Sequence, residues 1–376
     1  MARHEGLLLL RHLHGCLDLG DHGWEGAESS GSKFDLYVAS TRNESRRGAL
    51  LNVRDYCKLH IVAHYVAKLL GSEHGCFPIV PVGKIGNDAS GASVCCEMRD
   101  VGIDTRFVKF VAGKPTLFSV CFQYPDGGGG NITTSNSAAA DLSVEDIDEI
   151  ENLIAPTGSQ TIALLVPEVP LDVRQYFLQL AKRKNTFCAA SFVSGEIAAA
   201  KQLKMFDQLD LVSLNEEEAA DLLGEPFSGD APESFVEKCA RHVAAGYPDL
   251  QLIVSVGKRG AYAISREGWS YSPAPPVKVV STAGAGDCLL GGILAALAAG
   301  IPFSRKDRGK REYALASALD VGVMLASYKV TSPHTIHPTA SLDELMAFAR
   351  RVAACVTPEI QGLITEIAEK TAQANL

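Results

Sequence analysis

No two of the ten cysteines are spaced as C-x-x-C, so the chain lacks the pattern of a zinc site or a thioredoxin-like redox pair, and a reducing cytoplasm is the setting this implies. It also lacks a basic surplus: 35 Lys and Arg stand against 44 Asp and Glu, a formal charge of −9. That balance argues against a nucleic-acid partner, which needs a basic stripe, but leaves room for a nucleotide gripped locally. Near the start the longest apolar stretch is Leu7 to Leu10, far short of a signal peptide or a membrane span, so no membrane association is expected. Solenoid repeats and low-complexity linkers are missing too, which makes one large domain with an appendage the natural organisation for 376 residues.

Glycine, by contrast, is abundant at 34 residues, as suits a fold with many tight strand-to-helix turns. Residues 1–32 are rich in His, Gly and Ser, and His12, His14 and His22 match no metal-site spacing, so this stretch reads as a loose N-terminal segment. From residue 33 to 376 the pattern is that of a folded domain. "FDLYVAS" reads as a first strand, "IVAHYVAKLLG" as a helix and "CFPIVPVGKIG" as a second strand. His60 and His64 share one face of that helix, which reads as an ordinary part-buried surface. Between about 111 and 136, β-rich sequence on both sides of Asp126 and four glycines reads as a hairpin, which must lie on something because an isolated hairpin is marginal in water.

Thereafter strand and helix alternate, through "TIALLVPEV", "TFCAASFV", "DLVSLN" and "QLIVSVG". These strands are continuously apolar, as they are when helices cover both faces of a parallel sheet. The expected architecture is α/β: a three-layer α/β/α sandwich around a doubly wound, mostly parallel sheet, with a small β lid.

The stretch "VVSTAGAGDCLLGG" sets a β-branched run against small residues, an aspartate and a helix with no charge from Cys288 through Gly300. Gly291 and Gly292 within it each lose about 1 kcal/mol of helix propensity against alanine, which implies close packing on another backbone. Thr282, Ala283, Gly284, Ala285 and Gly286 form a small-residue turn before Asp287. Free N–H groups at a helix start and the helix dipole together attract an anion, and bulky side chains would block its approach. An aspartate there can cap the helix, or it can accept the proton of a hydroxyl attacking a phosphoryl group. G-x-x-x-x-G-K-[ST] occurs nowhere, and "GAGDCL" fails G-x-G-x-x-G at Leu289, so neither a Walker-type site nor a dinucleotide site is indicated.

"STAGAGD", Ser281 to Asp287, resembles the D-T-x-G-A-G-D signature of the ribokinase-like (PfkB) carbohydrate kinases. Three further segments resemble family landmarks in the same order: "VGKIGNDASG" with Gly83, Gly86, Asp88 and Gly91; "NEEE" with Asn215 and Glu218; and "SVGKRG" with Ser255, Gly257 and Gly260. The resemblance spans roughly residues 78 to 330. It implies an ATP- and Mg²⁺-dependent kinase acting on a hydroxymethyl group of a sugar or a nucleoside. Asp287 would be the catalytic base, Gly284, Ala285 and Gly286, with Ala283, the γ-phosphate anion hole, and Thr282 a nucleotide contact. Asn215, Ser255, Gly257 and Gly260 would line the nucleotide side, and Glu218 would help hold Mg²⁺. The lid would close over the sugar and, as lids of this family often do, mediate a homodimer.

The chain departs from the family pattern in two places. The signature's first aspartate, which helps organise a monovalent-cation site in potassium-activated members, is Ser281, so the resemblance does not extend to that activation. In the first third, "VASTRNES" lacks the sugar-binding aspartate; Gly48 and Asn52 keep the G-x-x-x-N spacing, while "AKLLG" ends later than the family spacing places it. Gly48, Asn52 and Asp88 are the substrate-side candidates. A substrate half this altered also admits a non-catalytic nucleotide-binding relative.

Overall fold

A computed structural model describes residues 7–11, 14–20, 49–51 and 57–365, apart from 73–76, 124–128, 155–160, 306–312 and positions 228, 230, 359 and 363. Its centre is a nine-stranded sheet in the order β13-β12-β11-β10-β9-β8-β1-β4-β5. The strands are β1 (Leu7–Arg11), β4 (Ile79–Gly86), β5 (Phe107–Val111), β8 (Ile162–Leu165), β9 (Phe187–Ser191), β10 (Leu211–Asn215), β11 (Gln251–Ser255), β12 (Gly260–Ser265) and β13 (Gly268–Pro273). From β5 to β11 all pairings are parallel, and β12 and β13 close one edge as an antiparallel hairpin. The helices are α1 (Lys58–Leu70), α2 (Ala89–Asp100), α3 (Val144–Asp148), α4 (Leu171–Arg183), α5 (Ser194–Gln202), α6 (Glu216–Leu223), α7 (Pro232–Gly246), α8 (Ala285–Ala298), α9 (Ala318–Lys329) and α10 (Leu342–Arg351).

Successive strand residues feed opposite faces, because side chains alternate along a strand. Ile162 and Leu164 of β8, Leu211 of β10 and Ile253 of β11 join α1, α8, α9 and α10 in one core. Ala163 and Leu165, Val212 and Leu214, and Leu252 and Val254 join α4 to α7 in the other. Each fully buried Leu, Ile or Val contributes about 1.5–3 kcal/mol, so apolar runs with no polar position are what a sheet covered on both faces requires. The three-layer, mostly parallel architecture expected from the alternating elements is therefore the observed one.

Within residues 1–32, expected to be loose, the described stretches 7–11 and 14–20 are strands instead. Leu7–Arg11 runs between β4 and β8, with Leu8 opposite Val80 on one side and Ala163 on the other. A leucine run too short for a membrane is the right length for an interior strand flanked on both sides. "FDLYVAS", the expected first strand, lies outside the described residues. The four-stranded second sheet has the order β3-β2-β6-β7, from β2 (His14–Gly20), β3 (Ala49–Leu51), β6 (Leu117–Gln123) and β7 (Gly129–Thr133). It contains the antiparallel hairpin expected around 111–136, and its β2 follows directly on β1.

The glycines of α8 bring backbones together as expected. A Cβ at Gly291 would lie 3.1 Å from Val62 O in α1, and one at Gly292 would lie 2.9 Å from Gly322 Cα in α9. That packing fixes where α8 begins relative to α1 and α9. On α1, the rings of His60 and His64 lie 5.7 Å apart. Burial, with Lys68 adding to it, holds His64 down to about 4, so it is neutral at physiological pH. Among the described residues no three His, Cys, Asp or Glu side chains form a metal cluster.

Candidate active site

In an open α/β sheet the chain leaves a crevice beyond the carboxyl ends of the strands where the strand order reverses. Here the reversal lies between β1 and β8. The chain leaving β8 carries Glu168, a non-glycine residue at φ +79°. Such backbone costs about 1–3 kcal/mol and tends to be kept at functional sites.

On the same side α8 begins. Its N-cap is Gly284 at φ +72°, so Asp287 is the third helical residue and not the cap. Ala285 N–H donates to Thr282 O at 3.1 Å and Cys288 N–H to Gly284 O at 2.9 Å. The N–H groups of Gly286 and Asp287 lie between them, in the turn where helix geometry offers no acceptor. Thr282 and Gly286 are exposed, while Ser281, Ala283, Gly284, Ala285 and Asp287 are half-buried, so the turn is open to solvent along its length.

The two glycines of the turn have different reasons to be there. A Cβ on Gly284 would come within 3.0 Å of Thr335 Cβ and 3.1 Å of Ile61 Cδ1, on backbone already left-handed. One on Gly286 would meet nothing within 4 Å. The fold therefore demands glycine at 284, whereas at 286 glycine leaves vacant the space in front of the helix start. We expect Gly284→Ala to lower unfolding free energy by about 1–2 kcal/mol. Gly286→Val should leave it within about 1 kcal/mol, since glycine is the poorer helix former, while weakening triphosphate binding at least roughly tenfold. Urea melts and nucleotide titrations of the two variants check this; equal loss of stability in both would refute the distinction.

Lys58, the first residue of α1, places its ammonium 3.6 Å from Asp287 Oδ1. Asp287 holds it well above the usual lysine range against the opposing effect of burial, with Glu218 and Glu168 adding to the rise. One protonated ammonium thus pairs with the carboxylate in the first turn of α8 and feels two more, from the exit of β8 and the first turn of α6. Sequence reasoning passed over both Lys58 and Glu168, since neither falls in a motif; the only local signal was a charged residue following a buried strand or opening an apolar helix.

Asn215 and Glu218 form a reciprocal capping box: Glu218 N–H donates to Asn215 Oδ1, and Asn215 N–H to Glu218 Oε2, both at 2.9 Å. Glu218 is buried at 9% exposure, which keeps its carboxylate in a fixed orientation. Asn215 pairs in register with Ser255 at the ends of β10 and β11. Beyond Ser255, Gly257 at φ +55° leaves open space, whereas a Cβ on Gly260 would lie 2.1 Å from Ser272 O. Gly260 is thus fixed by the close approach of β13.

On the proposed substrate side, Gly48 and Asn52 lie outside the described residues. Asp88 caps α2 and is fully engaged: Thr116 N–H donates to Oδ2 at 2.7 Å, while Thr116 Oγ1 and Gly91 N–H donate to Oδ1 at 2.6 and 2.8 Å. Burial works to raise its pKa, but these donors outweigh it and hold the carboxyl below the usual range. A Cβ at Gly86 would lie 2.3 Å from Thr116 N, and one at Gly91 2.6 Å from Gly86 O. The G-x-D-x-x-G segment is therefore a knot that ties the end of β4 and the start of α2 to the chain entering β6.

The pfkB family carbohydrate kinase profile matches residues 62–358. Fructokinase-1 of Oryza sativa subsp. japonica is 28% identical over 266 residues, 67% of this chain and 78% of the relative. A ribokinase of Dictyostelium discoideum is 26% identical over 235 residues, 60% of this chain and 71% of the relative. In fold, the chain is similar to an Escherichia coli protein described as a candidate ribokinase II, solved with ATP and Mg²⁺, at a TM-score of 0.66 and 18% identity over 92% of this chain and 99% of the other.

Proposed function

This chain belongs to the pfkB family of carbohydrate kinases, and from that premise we propose that it transfers the γ-phosphate of ATP to a hydroxymethyl group of a sugar of the fructose or ribose kind. The observation that carries this reading is the ammonium of Lys58 3.6 Å from Asp287 beside a solvent-open helix start, with Glu218 and Glu168 adding to the rise of its pKa. The residues fit the nucleotide and its metal: the space in front of Gly286 is vacant, N–H groups face it, and Glu218 is a buried, oriented carboxylate.

In this reading the first turn of α8 receives the γ-phosphate and stabilises its charge with backbone N–H groups and the helix dipole. Asp287 accepts the proton of the attacking hydroxyl as the new O–P bond forms and the bond to the ADP oxygen breaks. A carboxylate is a weak base for an alcohol, so its help comes as the hydroxyl becomes acidic in the transition state. Glu218 would help hold Mg²⁺, which when bound would supply charge neutralisation for the transfer. Glu168, at the strand-order reversal, is placed to accept hydrogen bonds from sugar hydroxyls. Ser255, Gly257 and Asn215 line the nucleotide side. Asp88 acts on the lid through Thr116.

Fructokinases and ribokinases among the relatives favour a free sugar. A nucleoside presents the same hydroxymethyl group and is the competing acceptor. The test is ADP formation across pentoses, hexoses, sugar phosphates and nucleosides. We expect one sugar of the fructose or ribose kind to raise ADP formation at least about a hundredfold over acceptor-free hydrolysis. Nucleotide binding with no turnover on the whole panel would overturn the kinase reading in favour of a binding module.

A further inference from the structure

Beneath the phosphate turn lies a charge that the transfer chemistry above does not use. Lys329, the last residue of α9, is wholly buried at 0% exposure. Its Nζ donates to Ser281 O at 3.1 Å. The same junction is pinned twice more, by Val280 N–H and Ser281 N–H donating to Val330 O at 2.7 and 3.3 Å. Ser281 in turn steers the following peptide, its Oγ accepting from Ala283 N–H at 3.3 Å. Burial pushes the Cys288 thiol, next to Asp287, well up, and the ammonium is close enough to the first turn of α8 to oppose part of that rise.

A lysine ammonium out of contact with water is expensive unless its surroundings repay it, and lysines are almost never fully buried without a reason. The Ser281 carbonyl oxygen and the negative end of α9, where a cation is favourable, both work against that cost. A third would arise when negative phosphate arrives at the turn, since charge interactions are strong where water is excluded.

Resting on the kinase reading, we propose that the Lys329 ammonium is the resident cation of the phosphate-binding turn. Tethered to α9, it holds the Ser281 carbonyl and supplies from within the chain the positive charge that a dissociable ion would otherwise bring. Nucleotide binding and turnover are then independent of potassium and sodium. Lys329 is a positioning residue; it touches the turn and not the reacting atoms.

The test measures the affinity for Mg²⁺ with a non-hydrolysable ATP analogue, and turnover with whichever sugar is accepted, in potassium, sodium and tetramethylammonium chloride at equal ionic strength. The wild-type chain should give the same values within about twofold in all three salts. Lys329→Met, shown by its melting profile to be folded, should bind the analogue at least about tenfold more weakly in tetramethylammonium, with potassium or ammonium ion restoring part of the loss. Activation of the wild type more than about fivefold by potassium would overturn the proposal. So would a Lys329→Met protein that binds as the wild type does, or one whose loss no added cation relieves, the pattern of a purely structural lysine. Should Lys329→Met not fold, Lys329→Gln and the wild-type salt series decide the question. Lysine-dependent nucleotide binding without phosphorylation of any sugar would overturn the kinase reading alone, and absence of nucleotide binding would overturn both.

Discussion

Asp287→Asn should lower turnover by about a thousandfold while leaving the affinity for ATP within about threefold of the wild type. The amide has nearly the shape of the carboxylate, so the first turn of α8 and its N–H groups are kept, and what disappears is the acceptor for the hydroxyl proton. The companion loss is the ion pair with Lys58, whose side chain is 28% exposed. At 28% and 16% side-chain exposure the pair is half-buried, so the melting curve of the variant has to measure what its loss costs. A fall in kcat with an unchanged melt is therefore attributable to chemistry. Steady-state kinetics at saturating ATP, alongside nucleotide titration, make the measurement. An asparagine variant retaining more than about a tenth of its turnover would remove Asp287 from the role of base.

Lys58→Met carries the second large expectation, a fall in kcat of about a hundredfold with a smaller change in the KM for ATP. Its ammonium sits 3.6 Å from Asp287 and is held protonated by that carboxylate, with Glu218 and Glu168 contributing. Asp287 without its neighbouring ammonium, and with Glu218 and Glu168 adding negative potential, would repel an incoming phosphate. A fixed ammonium relieves this and can follow charge onto the transferring oxygens, an effect realised in the transition state more than in the ground state. Methionine keeps much of the length and apolar bulk of the stem, so packing at the start of α1 is little disturbed. Turnover unchanged within twofold would make Lys58 a simple partner of Asp287. A change confined to the KM of the sugar would move it to acceptor binding.

Several of these features could be read before any coordinates. "STAGAGD" signals its proposed chemistry: small residues at a helix start leave room for a phosphate, and the aspartate beside them is the proposed base. The uncharged helix with Gly291 and Gly292 announced a backbone contact, found against Val62 and Gly322. Yet motif and role came apart elsewhere. Gly284 and Gly286 look equivalent in the sequence, but only the backbone angle and the neighbours of an added Cβ distinguish a folding requirement from open space. Asp88 fits a substrate-side position by spacing, whereas three hydrogen bonds commit it to Thr116 and Gly91.

Composition and local pattern determined the α/β class, the glycine-rich start of α8 and the acidic residue in its first turn, because those depend on periodicity and on groups within a few positions of one another. Tertiary structure alone decided that Leu7–Arg11 is an interior strand, that Lys58 pairs with Asp287, and that the Lys329 ammonium lies under the same turn. Those juxtapositions join residues far apart in the chain. Pairing of β1 with β4 and β8, and packing of α8 between α1 and α9, create them, and neither leaves a trace in the spacing of nearby residues.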